Sequence, residues 1–240
     1  MEQIFISSIR LNSPVKKDSY LSKLPVVRHL SAMDALNFSK QVTFLVGENG
    51  TGKSTLLEAI AIAYGFNAEG GSRNFNFATK VTHSELHRHM TIARRAYPKD
   101  GYFLRAETFY NAASYIDEVG AAASYGDRSL HEQSHGESFL SLVQNRFRGN
   151  GIYLLDEPEA ALSPSRLMVL LAQIHELVKQ RSQFIIATHS PILMAYPGAE
   201  VLELTQTGIS CVDYRQTEHY QLTRSFLENP EKMLRYLLES

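Results

Sequence analysis

The sequence predicts an α/β fold, with a largely parallel sheet and helices packed on its two faces. Three observations lead there. The runs "GIYLLDEPE" (151–159) and "QFIIATHSP" (183–191) open on nearly continuous apolar stretches, the pattern of strands buried on both sides. An amphipathic stretch, "SPSRLMVLLAQIHELVKQ" (163–180), lies between them at helical spacing, with Pro164 in its first turn. Near residue 46 a strand-like run meets a glycine-rich loop and then an apolar helical pattern, "FLVGENGTGKSTLLEAIAIAYG" (44–65).

The remaining elements follow in chain order. "QIFISSIRL" (3–11), "PVVRHL" (25–30) and "ALNFSKQVTFLV" (35–46) read as short strands separated by polar turns. "NAEGGSRNFNFATK" (67–80) reads as loop, and "VTHSELHRHMTIARRAYPKDG" (81–101) as a short polar helix or arm ending at Pro98. "YFLRAETF" is strand-like, "GAAASYGDRSLHEQSHG" is a small-residue loop, and "ESFLSLVQNRF" returns to helical spacing. "EVLELTQTGISCVDY" suggests a hairpin turning at Thr207-Gly208, and two helices broken near Asn229-Pro230 close the chain.

Composition bounds the class. The 240 residues suffice for one large domain or two modest ones, and 44% hydrophobic with 20% charged residues is ordinary for a globular protein. A formal net charge of −1 supplies no global field toward nucleic acid or membrane, so any such attraction needs a local patch. The single cysteine, Cys211, excludes an intramolecular disulfide and fits a reducing compartment; it reads as a small buried side chain in a strand. The N-terminal "MEQIFISSIRLNSP" lacks signal-peptide character, and no apolar run approaches the roughly 18 residues of a membrane span. A soluble, cytoplasmic chain is expected.

The chemistry concentrates in three places. Gly47 to Ser54, "GENGTGKS", matches a phosphate loop, with Thr55 following. Backbone N–H groups must converge on phosphate oxygens there, so Gly47, Gly50 and Gly52 remove side chains and permit unusual dihedrals. Glu48, Asn49 and Thr51 complete the loop. Lys53 reaches β- and γ-phosphates, and Ser54 offers its hydroxyl to Mg²⁺. Asp156, at the end of an apolar strand, is placed to hold the same magnesium ion, and Glu157 beside it to orient or deprotonate attacking water. His189, at the end of the next apolar strand, can bond the γ-phosphate or that water. Each also has a bland reading, as a strand end, a cap or a structural histidine.

The order of these motifs resembles the ABC-type ATPase family: a phosphate loop, a long intervening segment, "QSHGE", "LLDEPEAALSP", then "ATHSP". Within it, "VGENGTGKSTLLEAIA" and "DEPEAALSP" look most like the ATPases allied to chromosome maintenance and recombination repair. The resemblance implies a P-loop NTPase α/β/α sandwich with an N-terminal antiparallel β subdomain. It also implies an inserted arm and helical subdomain, about residues 67–145, and ATP as the nucleotide. Ser134, Gly136 and Glu137 fall on the family's signature loop, which in a homodimer completes the partner's site; His135 stands where the first glycine of that loop is usual. A serine just before a helix is itself a sensible anion site. Ser163 stands where the D-loop commonly has aspartate. Glu107 or Gln133 can stand in for the glutamine that joins the metal shell, and Phe5, Tyr20 and His29 are candidates to stack on adenine.

Weaker signals remain. Arg88, Arg94, Arg95 and Lys99, with Arg146 and Arg148, form either a nucleic-acid patch or a solvated face. His83 and His87, four apart, form either half a metal site or plain surface. The whole admits three functions: an ATPase that drives or gates a partner in DNA repair or defence, the nucleotide-binding subunit of a transporter, or an ATP-gated scaffold without useful turnover.

Overall fold

The structure, a computed structural model, describes residues 3–72, 84–107 and 135–238. A six-stranded sheet forms its centre, built from β3 (Val42–Val46), β5 (Asp100–Arg105), β6 (Gly151–Asp156), β7 (Gln183–Ala187), β8 (Glu200–Leu204) and β9 (Ile209–Cys211). Their order is β5-β6-β7-β3-β8-β9, parallel throughout except for the β8–β9 hairpin. A smaller antiparallel sheet joins β1 (Ile6–Leu11) to β2 (Leu36–Asn37) on one side and β4 (Met90–Arg94) on the other.

Alternation along the parallel strands explains their apolar runs. Phe44 and Val46 point into one core and Leu45 into the other; Tyr153 and Leu155 are likewise opposed by Leu154. The first core is roofed by α3 (His135–Arg146), α4 (Pro164–Lys179) and the short α5 (Pro191–Met194). The second is roofed by α1 (Pro25–Ala32), α2 (Lys53–Tyr64) and the small sheet. Gln183 joins the two sheets: fully buried at the start of β7, it accepts from the N–H groups of Phe5 (2.7 Å) and Ile6 (2.9 Å) and donates to the Ile6 carbonyl (2.9 Å).

Three expectations need correction. "PVVRHL" is helical, not a strand: Pro25 occupies the first helical turn, and Val26, Val27 and Leu30 lie on one buried helical face. Of the stretch 81–101, the described part from Ser84 onward is not a polar helix or arm. Glu85–His89 is a single 3₁₀ turn capped by Ser84, and Met90–Arg94 pairs with β1. Its polar look comes from an edge strand with one exposed face; Met90 is buried while Thr91 and Ala93 are exposed. Cys211 is exposed on the outermost strand, because β9 covers the sheet edge and is itself uncovered. Both β4 and β5 lie within the span 67–145 assigned to an inserted subdomain, so this part of the span belongs to the two sheets. The C-terminal helices are separate as expected: α6 (Glu218–Glu228) and α7 (Pro230–Leu238), neither with a buried residue. Among the described residues, no helix is long and apolar enough to cross a membrane.

Candidate functional site

The strand order gathers the motifs. β3 lies between β7 and β8, and β6 is the next strand beyond β7, so the loop after β3 and the carboxyl ends of β6 and β7 open on one edge. That crevice is where ligands bind in open parallel sheets.

Two glycines of the loop, Gly47 and Gly52, are required by contact as well as by dihedral. Gly47 has φ +133°, and a Cβ there would stand 2.1 Å from the Leu204 carbonyl oxygen at the end of β8. Gly52 has φ +98° and caps α2; a Cβ there would meet Val26 Cγ1 at 2.5 Å. The helix α1 thus backs the loop, and the Val26 N–H bonds the Thr51 carbonyl at 3.1 Å. Thr51 turns its hydroxyl onto the Glu48 carbonyl (2.9 Å). Lys53 is almost fully buried, and its ammonium donates to the carbonyls of Gly47 (2.7 Å) and Glu48 (3.0 Å). Burial pulls its pKa down, while Glu157, Asp156 and Glu159 oppose that shift.

Asp156 ends β6 with its carboxyl buried, and burial pushes its pKa up to about 6 despite Arg105 and a hydrogen bond from Ser54. Its Oδ1 is buried without a hydrogen-bond partner among the described residues. A hydroxyl and an unspent carboxylate oxygen side by side form a hard-oxygen donor pair, so Ser54 and Asp156 fit magnesium. Glu107, the other candidate for the metal shell, is 86% exposed, with its carboxylate 3.8 Å from Arg105; Gln133 lies outside the described residues.

Glu157 is held in the left-handed region at φ 48°, an arrangement that costs a non-glycine residue about 1–2 kcal/mol. Its N–H is fixed to the Ala187 carbonyl at 2.9 Å, which ties the end of β6 to the end of β7. The constraint presents its 41%-exposed carboxylate to His189, whose Nε2 is 3.5 Å from Glu157 Oε1. Burial first, then the nearby Lys53, draw the pKa of His189 down.

Three contributors were not read from the sequence. Arg105 bonds Glu58 of α2 at 2.7 Å and lies 3.4 Å from Asp156 Oδ2. Glu159 accepts from the Thr188 hydroxyl (2.8 Å) and the His189 N–H (2.5 Å), fixing the loop that carries His189; burial raises its pKa. The second glutamate of "DEPE" was a visible signal. His219, in the first turn of α6, places Nε2 2.6 Å from His189 Nδ1, and nothing local in the sequence announces it. It also lines a cleft of about 310 Å³ with Gly47, Glu48, Thr51 and the Thr205–Thr207 turn.

Other candidates are dispersed. Ser134 and His83 lie outside the described residues. Gly136 and Glu137 begin α3 against the segment following Glu157: a Cβ on Gly136 would meet the Ala161 carbonyl oxygen at 2.9 Å, and Glu137 pairs with Arg166 at 3.0 Å. Phe5 is fully buried between the sheets, which removes it as an adenine platform; Tyr20 is exposed, and His29 Nε2 lies 3.2 Å from the Thr205 carbonyl oxygen. Arg88 pairs with Glu85 (3.0 Å), Arg94 stacks over Tyr64 (4.5 Å) and Arg146 pairs with Asp100 (2.8 Å). Arg95 is exposed. His87 turns Nδ1 to the Ser84 carbonyl at 2.9 Å, and no group of three metal-ligating side chains occurs among the described residues.

Comparison with known proteins agrees with this geometry. Residues 30–108 match a family model described as an AAA domain, and residues 138–194 match one described as an AAA ATPase domain. The ribose import ATP-binding protein RbsA of Yersinia pestis is 25% identical over 195 residues, covering 73% of this chain and 37% of that protein. The arabinose import ATP-binding protein AraG of Escherichia coli is 28% identical over 185 residues, covering 69% and 36%. The chain thus spans little more than a third of the curated relatives it matches. In fold it is similar to cbiO1 from Clostridium perfringens, described as part of the ABC transporter complex cbiONQ. That likeness has a TM-score of 0.52 at 15% identity, over 98% of this chain and 99% of that one. The loop, the paired carboxylates and the two family matches converge on one likeness: over residues 30–108 and 138–194 this chain is similar to P-loop ATPase domains of the AAA kind.

Proposed function

We propose that the domain binds ATP with magnesium, hydrolyses it, and acts as an ATP-sandwich homodimer that drives or gates a partner. The observation that carries this reading is the facing pair Glu157 and His189, 3.5 Å apart at the ends of adjacent strands beside the phosphate loop. Phosphoryl transfer depends on positioning and charge neutralisation more than on covalent chemistry. Lys53 exchanges its loop carbonyls for β- and γ-phosphate oxygens. Ser54 and Asp156 would hold magnesium, which supplies charge neutralisation at the phosphates. Glu157 orients water or takes its proton, and His189 bonds the γ-phosphate.

One chain leaves that clamp open. On this reading Ser134 closes it from the second copy, and Gly136 and Glu137 set its approach. Support comes from the first turn of α3, where Gly136 and Glu137 dock on Ala161 and Arg166 in the segment that follows Glu157. Glu157→Gln should retain ATP, lower turnover by ~10²–10⁴-fold and accumulate as a dimer in light scattering. A variant that stays monomeric at saturating Mg-ATP removes the composite site. Equal hydrolysis in wild type and variant favours the scaffold reading instead.

A second reading, the ATP-binding subunit of a transporter, is favoured by the import proteins among the relatives. A neighbouring gene for a multi-span permease supports it, whereas a nuclease or helicase gene supports repair or defence. A nucleic-acid role for Arg88, Arg94, Arg95 and Lys99 requires duplex affinity to fall with salt; a flat log–log plot excludes it.

A further inference from the structure

We propose that His219 is a positioning residue: its Nε2–H donates to His189 Nδ1 and so keeps the His189 proton on Nε2, facing the γ-phosphate position. This deepens the reading of His189 above and rests on it.

The argument begins with the contact. His189 Nδ1 and His219 Nε2 lie 2.6 Å apart, with ring centroids separated by 4.7 Å, although the residues are 30 apart in sequence. Such a short approach requires one donor and one acceptor. The other end of the His189 ring decides which is which. Its Nε2 is buried without a hydrogen-bond partner among the described residues, and the Glu157 carboxylate stands 3.5 Å from it. A phosphate oxygen is an acceptor too.

Three proton arrangements are available. If His189 donated through Nδ1–H as a neutral ring, its bare Nε2 would oppose acceptors with a lone pair, which is repulsive. If His189 carried both protons, a second cation would sit beside Lys53 in a half-buried site; burial and Lys53 both disfavour that form. The third arrangement sets no two lone pairs and no two cations against each other: His219 donates, Nδ1 accepts, and a neutral ring presents Nε2–H to the acceptor side. The titratable groups acting on the ring are Lys53 and His219, which both disfavour a charged His189, and Glu157, which opposes them. Glu159 acts on the backbone N–H of the same residue.

The support is rigid enough for a 2.6 Å contact to persist. Thr217 caps α6 and is fully buried, donating to the Tyr214 carbonyl at 2.6 Å and approaching the Met194 sulfur at 3.8 Å. Met194 ends α5, the helix that begins two residues after His189. The two histidines are therefore fixed to one another through α5 as well as through their rings.

The test uses the full chain. His219→Phe keeps a flat ring without a donor and should lower kcat by about tenfold to a hundredfold, with KM for ATP within about twofold of wild type. His219→Gln retains an N–H donor and should recover kcat to within about threefold of wild type. A packing role alone would make the two variants track their melting temperatures instead. Imidazole ¹⁵N shifts should show the His189 proton on Nε2 in wild type and shared between nitrogens in His219→Phe. Wild-type kcat in His219→Phe, or a His189 proton resident on Nδ1, overturns the proposal. His189→Ala separates the two levels. If it hydrolyses ATP normally, the reading of His189 itself fails; if it is inactive while His219→Phe is normal, only the present inference falls.

Discussion

Arg105 and Asp156 are register partners at the ends of β5 and β6, and the guanidinium Nε stands 3.4 Å from Asp156 Oδ2. The same guanidinium bonds Glu58, whose other oxygen accepts from the Ser84 N–H at 2.9 Å. One cation therefore spans the carboxylate proposed for the metal and the helix that follows the phosphate loop. Removing it leaves two largely buried acids facing each other. Arg105→Ala should destabilise the domain by about 3 kcal/mol, the usual cost of stranding buried charge. Adding Glu58→Gln should recover part of that loss, as chemical denaturation of the single and double variants will show.

The titration of Asp156 gives a pH dependence with a definite direction. Its folded value of about 6 lies above the ordinary 3.8. Between those values the folded chain holds more protons than the unfolded one, so this group's contribution to stability is lost as pH rises through about 6. Asp156→Asn should therefore stabilise the nucleotide-free domain at pH 7.5, by up to about 3 kcal/mol, with the gain gone below pH ~4. Melting curves across that range check it. Magnesium-dependent ATP affinity in wild type should weaken below about pH 6, because the ligand must be deprotonated to bind metal.

Gly50 and Gly52 separate two causes of glycine preference. Both have positive φ, +82° and +98°, but a Cβ on Gly50 meets nothing within 4 Å while one on Gly52 meets Val26 at 2.5 Å. Gly50→Ala should cost only backbone strain, ~1 kcal/mol. Gly52→Ala should cost that plus overpacking of roughly 1–3 kcal/mol, and Val26→Ala should relieve the second part. Thermal denaturation of the three variants decides it.

Gln183 supplies three buried hydrogen bonds between β7 and the first strand of the small sheet. Gln183→Leu fills the same space and strands those backbone groups. A loss of about 3 kcal/mol is expected, from roughly 1 kcal/mol or more for each unmet group. Limited proteolysis should then cut the N-terminal strand first. Cleavage unchanged from wild type would show that the small sheet is held by its apolar contacts alone.

The placement of groups written in contiguous residues was determined by the sequence itself. "GENGTGKS", "LLDEPE" and "IIATHSP" each place their groups within one turn or strand end, so spacing alone specifies the loop, the carboxylates and the histidine. Two-sided burial of β6 and β7 was equally legible, because a strand buried on both faces tolerates few polar residues at any position. Where a segment meets the core by one face only, sequence pattern misled. Val26 and Val27 looked like a strand until packing behind Gly52 made a helix of them, and β4 looked like a polar arm because its outer face is wet. Pairings across the chain were decided by tertiary structure alone. Arg105 meets Asp156 through strand register, and His219 meets His189 because α6 is anchored at Thr217; neither distance is encoded in any local run.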